Sequence, residues 1–168
     1  MHVCFDDKIM VLKPKSTEES KTEMTVRMFP SDANPAGNVF GGEILKQIDL
    51  IAGLVAQRHA RTNTVTASID RVNFLKPVYV GNALILNAQL TYVHRSSMEI
   101  EIRVEAEDLM SGTRMLTNTA YVTAVGLGSD GKTVEVPPLL IQTEDDKKRF
   151  SEGEQRMMQR LKERKKNQ

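Results

Sequence analysis

The chain is expected to be an α+β protein: an antiparallel sheet wrapped around one long central helix, with a C-terminal helical extension. Three observations point there. Residues 42–59 carry a sustained helical period of apolar residues, with Ile44, Ile48, Ile51, Ala52 and Val55 on one stripe. From residue 62 onward the pattern changes to long alternating segments joined by short turns. Those segments lack the crossover helices that an all-parallel sheet requires, which leaves antiparallel pairing. A curved sheet around the helix is the simplest packing that buries it.

The bulk properties suit one domain of ordinary size. The chain has 168 residues, 40% hydrophobic and 27% charged, enough for a real core. A net charge of +1 supplies no overall field toward nucleic acid or membrane. The single cysteine, Cys4, permits no internal disulfide and fits a reducing, cytoplasmic compartment. No basic-then-apolar leader opens the sequence, and no window approaches the ~18 apolar residues of a membrane span. Nine Met and no Trp suggest an adaptable lining, although Met1, Met157 and Met158 lie in the termini.

Taken in order, residues 1–19 read as a flexible lead, 20–142 as the folded domain, and 143–168 as a charged helix and tail. Ser20 to Phe29 alternates and predicts a first strand. Pro30 to Asn38 is a loop, dense in Pro, Asp, Asn and Gly. The helix over 42–59 carries Leu50 and Leu54 beside its main stripe, so it is expected to be buried around most of its circumference. Gly53 within it costs about 1 kcal/mol relative to Ala.

Val65, Ala67 and Ile69 alternate with Thr66, Ser68 and Asp70 in a strand that runs through Val72 and Phe74 to Lys76-Pro77. Val80-Gly81-Asn82 turns the chain into strands over 83–93 and 97–108. The latter sets Met98, Ile100, Ile102, Val104 and Ala106 against Glu99, Glu101, Arg103, Glu105 and Glu107, one dry face and one wet. Ser111-Gly112 leads to a last long strand over 114–125, and Val136-Pro137-Pro138 is extended. Thr143 is a fitting N-cap for a helix whose acids come early and bases late. With Phe150 and Leu161 as nearly its only strong apolar residues, that helix is expected to pack by one short edge.

The chemistry concentrates between Asn34 and Asp49. Gly41 and Gly42 can present backbone N–H groups at a helix start, where the dipole favours negative charge. That suits the carbonyl oxygen of an acyl-transfer transition state, for which one donor is worth roughly 3 kcal/mol. Alternatively, the glycines only permit a tight approach into the helix. Asp49 is a carboxylate on an apolar helix: either a general base for water or a flank residue paired with Lys46. Asn34 reads first as a turn former. Two helical turns, roughly 10 Å, separate Gly42 from Asp49, so a bound water or a second subunit has to close the gap.

Other groups carry less. His2, His59 and His94 have no metal-site spacing, and His59 reads as a cationic cap at the helix end. No Gly-x-Ser-x-Gly elbow occurs, and Cys4 lies in the lead, so an acyl-enzyme is not expected. Arg95-Ser96-Ser97 joins two strands and could hold phosphate or be a solvated turn.

The set Asn34-x-x-Gly37-x-x-Phe40-Gly41-Gly42, then Asp49-x-x-Ala52-Gly53, resembles the hotdog-fold acyl-CoA thioesterases, and most of all the cytosolic long-chain acyl-CoA hydrolase subgroup. Thr64-Val-Thr-Ala-Ser68, Val72-Asn73-Phe74, Ser97-Met-Glu-Ile-Glu101 and Val136-Pro137-Pro138 agree with it, from about residue 20 to 160.

The resemblance implies an enzyme that hydrolyses fatty acyl-CoA to free fatty acid and CoA. It implies hotdog dimers, often three to a hexamer, with active sites at the dimer interface. Its catalytic pair falls on Asn34 and Asp49 from different subunits, with Gly42, and Gly41 beside it, as oxyanion donors. Its CoA contacts fall on Val72, Asn73 and Phe74 and on Arg95, Ser96 and Ser97. It implies no metal and no redox cofactor. Some relatives carry His where this chain has Phe40, so the resemblance assigns that side chain no role. The alternative is an acyl-CoA-binding or regulatory protein without turnover. A hotdog dehydratase would need a site histidine near the glycine pair. An RNA scaffold would depend on the basic tail.

Overall fold

The computed structural model describes residues 12–166. Cys4 and His2 lie outside them. In chain order the elements are β1 (Lys15–Ser16), a 3₁₀ turn over Thr17–Glu19, β2 (Thr22–Arg27), a 3₁₀ turn over Pro30–Asp32, α1 (Gly41–Ala60), β3 (Asn63–Ile69), β4 (Ala83–His94), β5 (Ser97–Glu107), β6 (Arg114–Leu127), β7 (Leu139–Leu140) and α2 (Glu144–Lys166). The long strands form one five-stranded sheet in the order β2-β4-β5-β6-β3, antiparallel throughout. Part of the expected lead is structured, because β1 pairs in parallel with β7.

The core lies between α1 and the inner face of the sheet. Ile44, Ile48, Ile51 and Val55 pack on Leu84, Leu86 and Leu90 of β4, Met98 to Val104 of β5 and Ala120 to Ala124 of β6. Each such side chain contributes roughly 1.5–3 kcal/mol by leaving water. The small residues on β6 let the helix approach that strand. α1 stops at Arg61, which takes a left-handed φ of 55° and returns its N–H to the Gln57 carbonyl at 2.8 Å.

Four expectations about burial and packing are corrected. First, α1 is not buried around its circumference: Leu50 is 51% and Leu54 44% exposed, and Asp49 shares that open flank. Second, β3 ends at Ile69. Arg160 of α2 takes the Asp70 carboxylate at 2.7 Å. Beyond it, residues 70–77 follow β6 only through the N–H groups of Asp70 and Leu75, bonded to the Tyr121 and Thr117 carbonyls. Third, a bulge between Thr66 and Ser68 breaks the alternation of Val65, Ala67 and Ile69. Thr66 pairs with Ala124, and Ile69 with Val122, both core residues, so Thr66 and Ile69 share the helix side.

Fourth, the glutamate face of β5 is only partly in water. α2 covers its start, where Glu99 is 2% exposed, while Arg103 farther along stays exposed as expected. Its carboxylate accepts from Arg156 at 2.8 Å, from Arg160 at 2.7 Å and from the Thr91 hydroxyl at 2.7 Å. Arg149 pairs with Glu101, and Arg156 stands 3.9 Å over the Tyr121 ring. α2 reaches the sheet closely because residue 153 is glycine: a Cβ there would lie 2.7 Å from Tyr92 Cβ and 2.9 Å from Glu99 Oε1.

His59 is not a cationic cap. It is fully buried, its Nε2–H donates to the Pro137 carbonyl at 2.7 Å, and burial holds its pKa below the ordinary 6.5. The cation at this helix end is Lys15, whose ammonium donates to the His59 carbonyl at 2.6 Å.

Candidate active site

The start of α1 is set by the loop before it. The Phe40 N–H donates to the Asp32 carbonyl at 2.7 Å, and Ala33 bridges to Val39. Phe40 is the N-cap, with extended backbone and no side-chain capping bond. Its carbonyl accepts from Glu43 N–H at 2.9 Å and Ile44 N–H at 3.4 Å. Gly41 and Gly42 N–H find no acceptor among the described residues. They are the free donors that a helix start leaves, at the positive end of the dipole.

Asn34 is the turn former that its residue type suggested. Its Oδ1 accepts from Ala36 N–H at 2.9 Å and Asn38 N–H at 3.2 Å, and its own N–H donates to the Asn38 carbonyl at 2.7 Å. Because these backbone donors occupy the carboxamide oxygen, Nδ2 is the end left for a ligand. Asn34 can therefore offer a donor but has little capacity to accept. Asn34, Asn38, Gly41, Ile44, Phe74 and Pro77 line one cleft of about 340 Å³.

Asp49 is not in that cleft. It sits on the open flank of α1, where Thr66 Oγ1 donates to its Oδ1 at 2.6 Å. Lys46 does not pair with it: that ammonium goes to Glu43 at 3.2 Å. The Thr66 contact is the part of this geometry that the sequence pattern does not show. A regular strand would have turned Thr66 away from Ile69; the bulge puts both toward the helix.

The candidate CoA contacts divide between the two groups. The Phe74 ring lies against Gly41, while Val72 packs on the core edge and Asn73 is exposed. Arg95, at a left-handed φ of 53°, makes the β4–β5 turn with Ser96. Its carbonyl accepts from Val136 N–H at 2.9 Å, and Ser97 Oγ donates to the His94 carbonyl at 3.0 Å. By register, Met98 lies opposite Ala124 and Ala124 opposite Thr66, so this turn stands at the Asp49–Thr66 level. One chain thus holds Asn34, Gly41, Gly42 and Phe74 in one place, and Asp49, Thr66 and the Arg95–Ser97 turn in another. Among the described residues, no group of three or more His, Cys, Asp or Glu is placed to hold a metal ion. No described helix is long and apolar enough to cross a membrane.

Comparison with known proteins agrees with the architecture. The family model of the thioesterase superfamily matches residues 36–113. The uncharacterized acyl-CoA thioester hydrolase YkhA of Bacillus subtilis is 44% identical over 129 residues, 77% of this chain and 75% of that protein. The cytosolic acyl coenzyme A thioester hydrolase of Rattus norvegicus is 38% identical over 149 residues, 88% of this chain but only 39% of the rat protein.

Among solved structures, an apo-hexameric acyl-CoA thioesterase superposes with a TM-score of 0.86 at 38% identity, covering 90% of this chain and 97% of that one. The acyl-CoA hydrolase of Staphylococcus aureus, solved with butyryl coenzyme A, coenzyme A and coenzyme A disulfide, gives 0.84 at 34% identity, covering 91% and 93%. That enzyme has also been solved with an Asp, an Asn or a Thr replaced by Ala. Curled sheet, enclosed helix and family match define a hotdog-fold thioesterase domain. The chain belongs to the acyl-CoA thioester hydrolases of that superfamily.

Proposed function

We propose that the chain hydrolyses acyl-CoA thioesters to free fatty acid and CoA, at sites each shared by two copies. The observation that carries this reading is the division of the site. A donor-lined cleft at the start of α1 and a hydroxyl-bonded carboxylate farther along it lie too far apart for one chain to use both. Each borders a surface open to a partner: Phe74 and Leu75 are exposed at the cleft, and Leu50 and Leu54 of α1 and Val65 of the edge strand β3 are exposed beside the carboxylate.

Two copies related by a twofold axis bring the cleft of one to the carboxylate of the other, twice over. The interval pattern lends further support. In the S. aureus hydrolase the replaced Asn, Asp and Thr are spaced along the chain as Asn34, Asp49 and Thr66 are here.

In this reading Gly42 N–H, with Gly41 N–H beside it, takes the charge that develops on the thioester carbonyl oxygen. Asn34 Nδ2 donates to that oxygen or to the attacking water. Asp49 of the other copy receives the proton of the water as its oxygen bonds to the carbonyl carbon. The Thr66 hydroxyl holds Oδ1, which leaves Oδ2 to act as base. Collapse of the tetrahedral intermediate breaks the C–S bond, and CoA leaves as thiolate and takes the proton that Asp49 received, which restores the carboxylate. Water, a carboxylate and N–H donors supply every step, without metal or redox cofactor.

CoA runs from Val72, Asn73 and Phe74 of one copy toward Arg95, Ser96 and Ser97 of the other. Three such pairs form a hexamer, as in the hexameric solved neighbour, and the protein works in the cytoplasm, as the name of the rat relative states for that enzyme. Asp49→Ala is expected to lower kcat by ~10²–10⁴-fold across a panel of acyl-CoAs while the oligomer persists. An unchanged kcat would refute the mechanism.

A further inference from the structure

Phe40 occupies a position where helices prefer Ser, Thr, Asp or Asn. Its ring is 60% exposed, and it lies over Gly42: a Cβ on Gly42 would fall 2.3 Å from Phe40 Cε1, 2.9 Å from Cδ1 and 3.2 Å from Cζ. On the other side the Phe74 ring, 48% exposed, meets the Cβ position of Gly41 at 3.4 Å. Two exposed aromatic rings thus stand beside the glycines that carry the free N–H pair. At residue 42 any side chain would displace the Phe40 ring, whereas a Cβ at residue 41 would only touch Phe74. An aromatic N-cap has a second consequence. It has no oxygen with which to occupy the donors, so the donors stay available to a ligand.

We infer that Phe40 is a specificity-determining residue of the hydrolase, the apolar wall that keeps the Gly41–Gly42 donors unoccupied and lies along the acyl segment next to the thioester carbonyl. Phe74 is the facing wall. Together they flank a slot at the N–H pair, beside the cleft whose polar lining side chains are Asn34, Asn38 and Lys76. Excluding water from such a slot strengthens the hydrogen bonds to the developing oxyanion. The inference rests on the hydrolase reading above.

The test exploits a conflict between stability and turnover. Phe40→Asp installs a favourable N-cap whose carboxylate accepts from Gly42 or Glu43 N–H. It is expected to raise Tm by about 2–4 °C and to lower kcat by ~100-fold or more. Phe40→Leu, apolar and without a capping oxygen, leaves the donors free but removes the flat wall. It is expected to change the kcat/KM ratio between short and long acyl-CoAs by roughly 10-fold with Tm little changed, and an unchanged ratio overturns the proposal. Oligomeric state is checked for both by size-exclusion chromatography.

An aspartate variant with unchanged kcat overturns the proposal. So does a leucine variant that loses stability and activity together, because Phe40 would then be a packing residue only. If the wild type hydrolyses no acyl-CoA, the hydrolase reading fails first. A rise in Tm of the aspartate variant would still report whether the donors are free.

Discussion

The two helices contradict their compositions. α1 is apolar, yet it leaves a flank with Asp49, Leu50 and Leu54 open. α2 is among the most charged stretches of the chain, yet it is closed onto the sheet by Arg149, Arg156 and Arg160. The difference teaches where each helix does its work. Three charges of α2, those of Arg149, Arg156 and Arg160, are consumed in pairing with Glu99, Glu101 and Asp70, so they are structural, while most of its other charges stay exposed. Apolar residues on the α1 flank are not consumed within one chain, and they surround the carboxylate proposed as the base.

Mutations at the two helices should therefore part cleanly. Asp49→Ala, the largest effect on turnover, should leave Tm nearly unchanged, since Asp49 is exposed and its one contact is the Thr66 hydroxyl. Thermal melting beside the kinetic panel checks this; a large fall in Tm would make Asp49 a structural residue.

Arg156→Ala should do the reverse. Glu99 would keep Arg160 and Thr91 but lose its other guanidinium, at a cost of about 3 kcal/mol. Tm should fall by about 6–12 °C, with kcat per folded site little changed. Melting with active-site titration would show it, and a stable variant would mean that Arg160 alone satisfies Glu99.

The smallest effect is at the closed end of α1. Folding lowers the pKa of His59 through burial, against a weaker opposing hydrogen bond to Pro137, with Lys15 and Glu19 the nearby charges. Among the described residues its Nδ1 is buried without a partner. Below its ordinary pKa the unfolded chain binds a proton that the folded chain excludes. This contribution is whole above pH 6.5 and is lost as pH falls from there toward the folded value. Stability measured in urea between about pH 7.5 and about pH 5.5 should decline by up to ~1.4 kcal/mol per pH unit from this group. His59→Gln should flatten the decline; an unaltered slope would assign it to other groups.

Much of this was legible in the residues. α1 and the paired strands were read because each buries one side, and burial leaves a period of 3.6 or 2 in the apolar residues. Gly41, Gly42, Asn34 and Asp49 stood out as glycine pair, turn amide and misplaced acid. Thr66 was hidden because a bulge changes which face a strand residue takes, and a one-residue slip leaves no mark on composition.

The seating of α2 was hidden for another reason. Hydropathy reads Glu99 and Arg156 as two wet residues, whereas neutralising each other makes both buriable. The double use of Asn34 could not be seen either. Its Oδ1 holds the turn while the residue also lines the cleft, so the turn reading holds and leaves Nδ2 for the proposed site role.

The central claim is that Asn34 of one copy works with Asp49 of the other. Mixing inactive Asn34→Ala and Asp49→Ala proteins, unfolding them together and refolding them as mixed oligomers tests it directly. In a mixed pair one shared site carries both substitutions and the other carries neither. With random pairing, about a quarter of the wild-type activity should return. If the mixture stays as inactive as its parents while mixed pairs form, both residues act within one chain and the account is wrong.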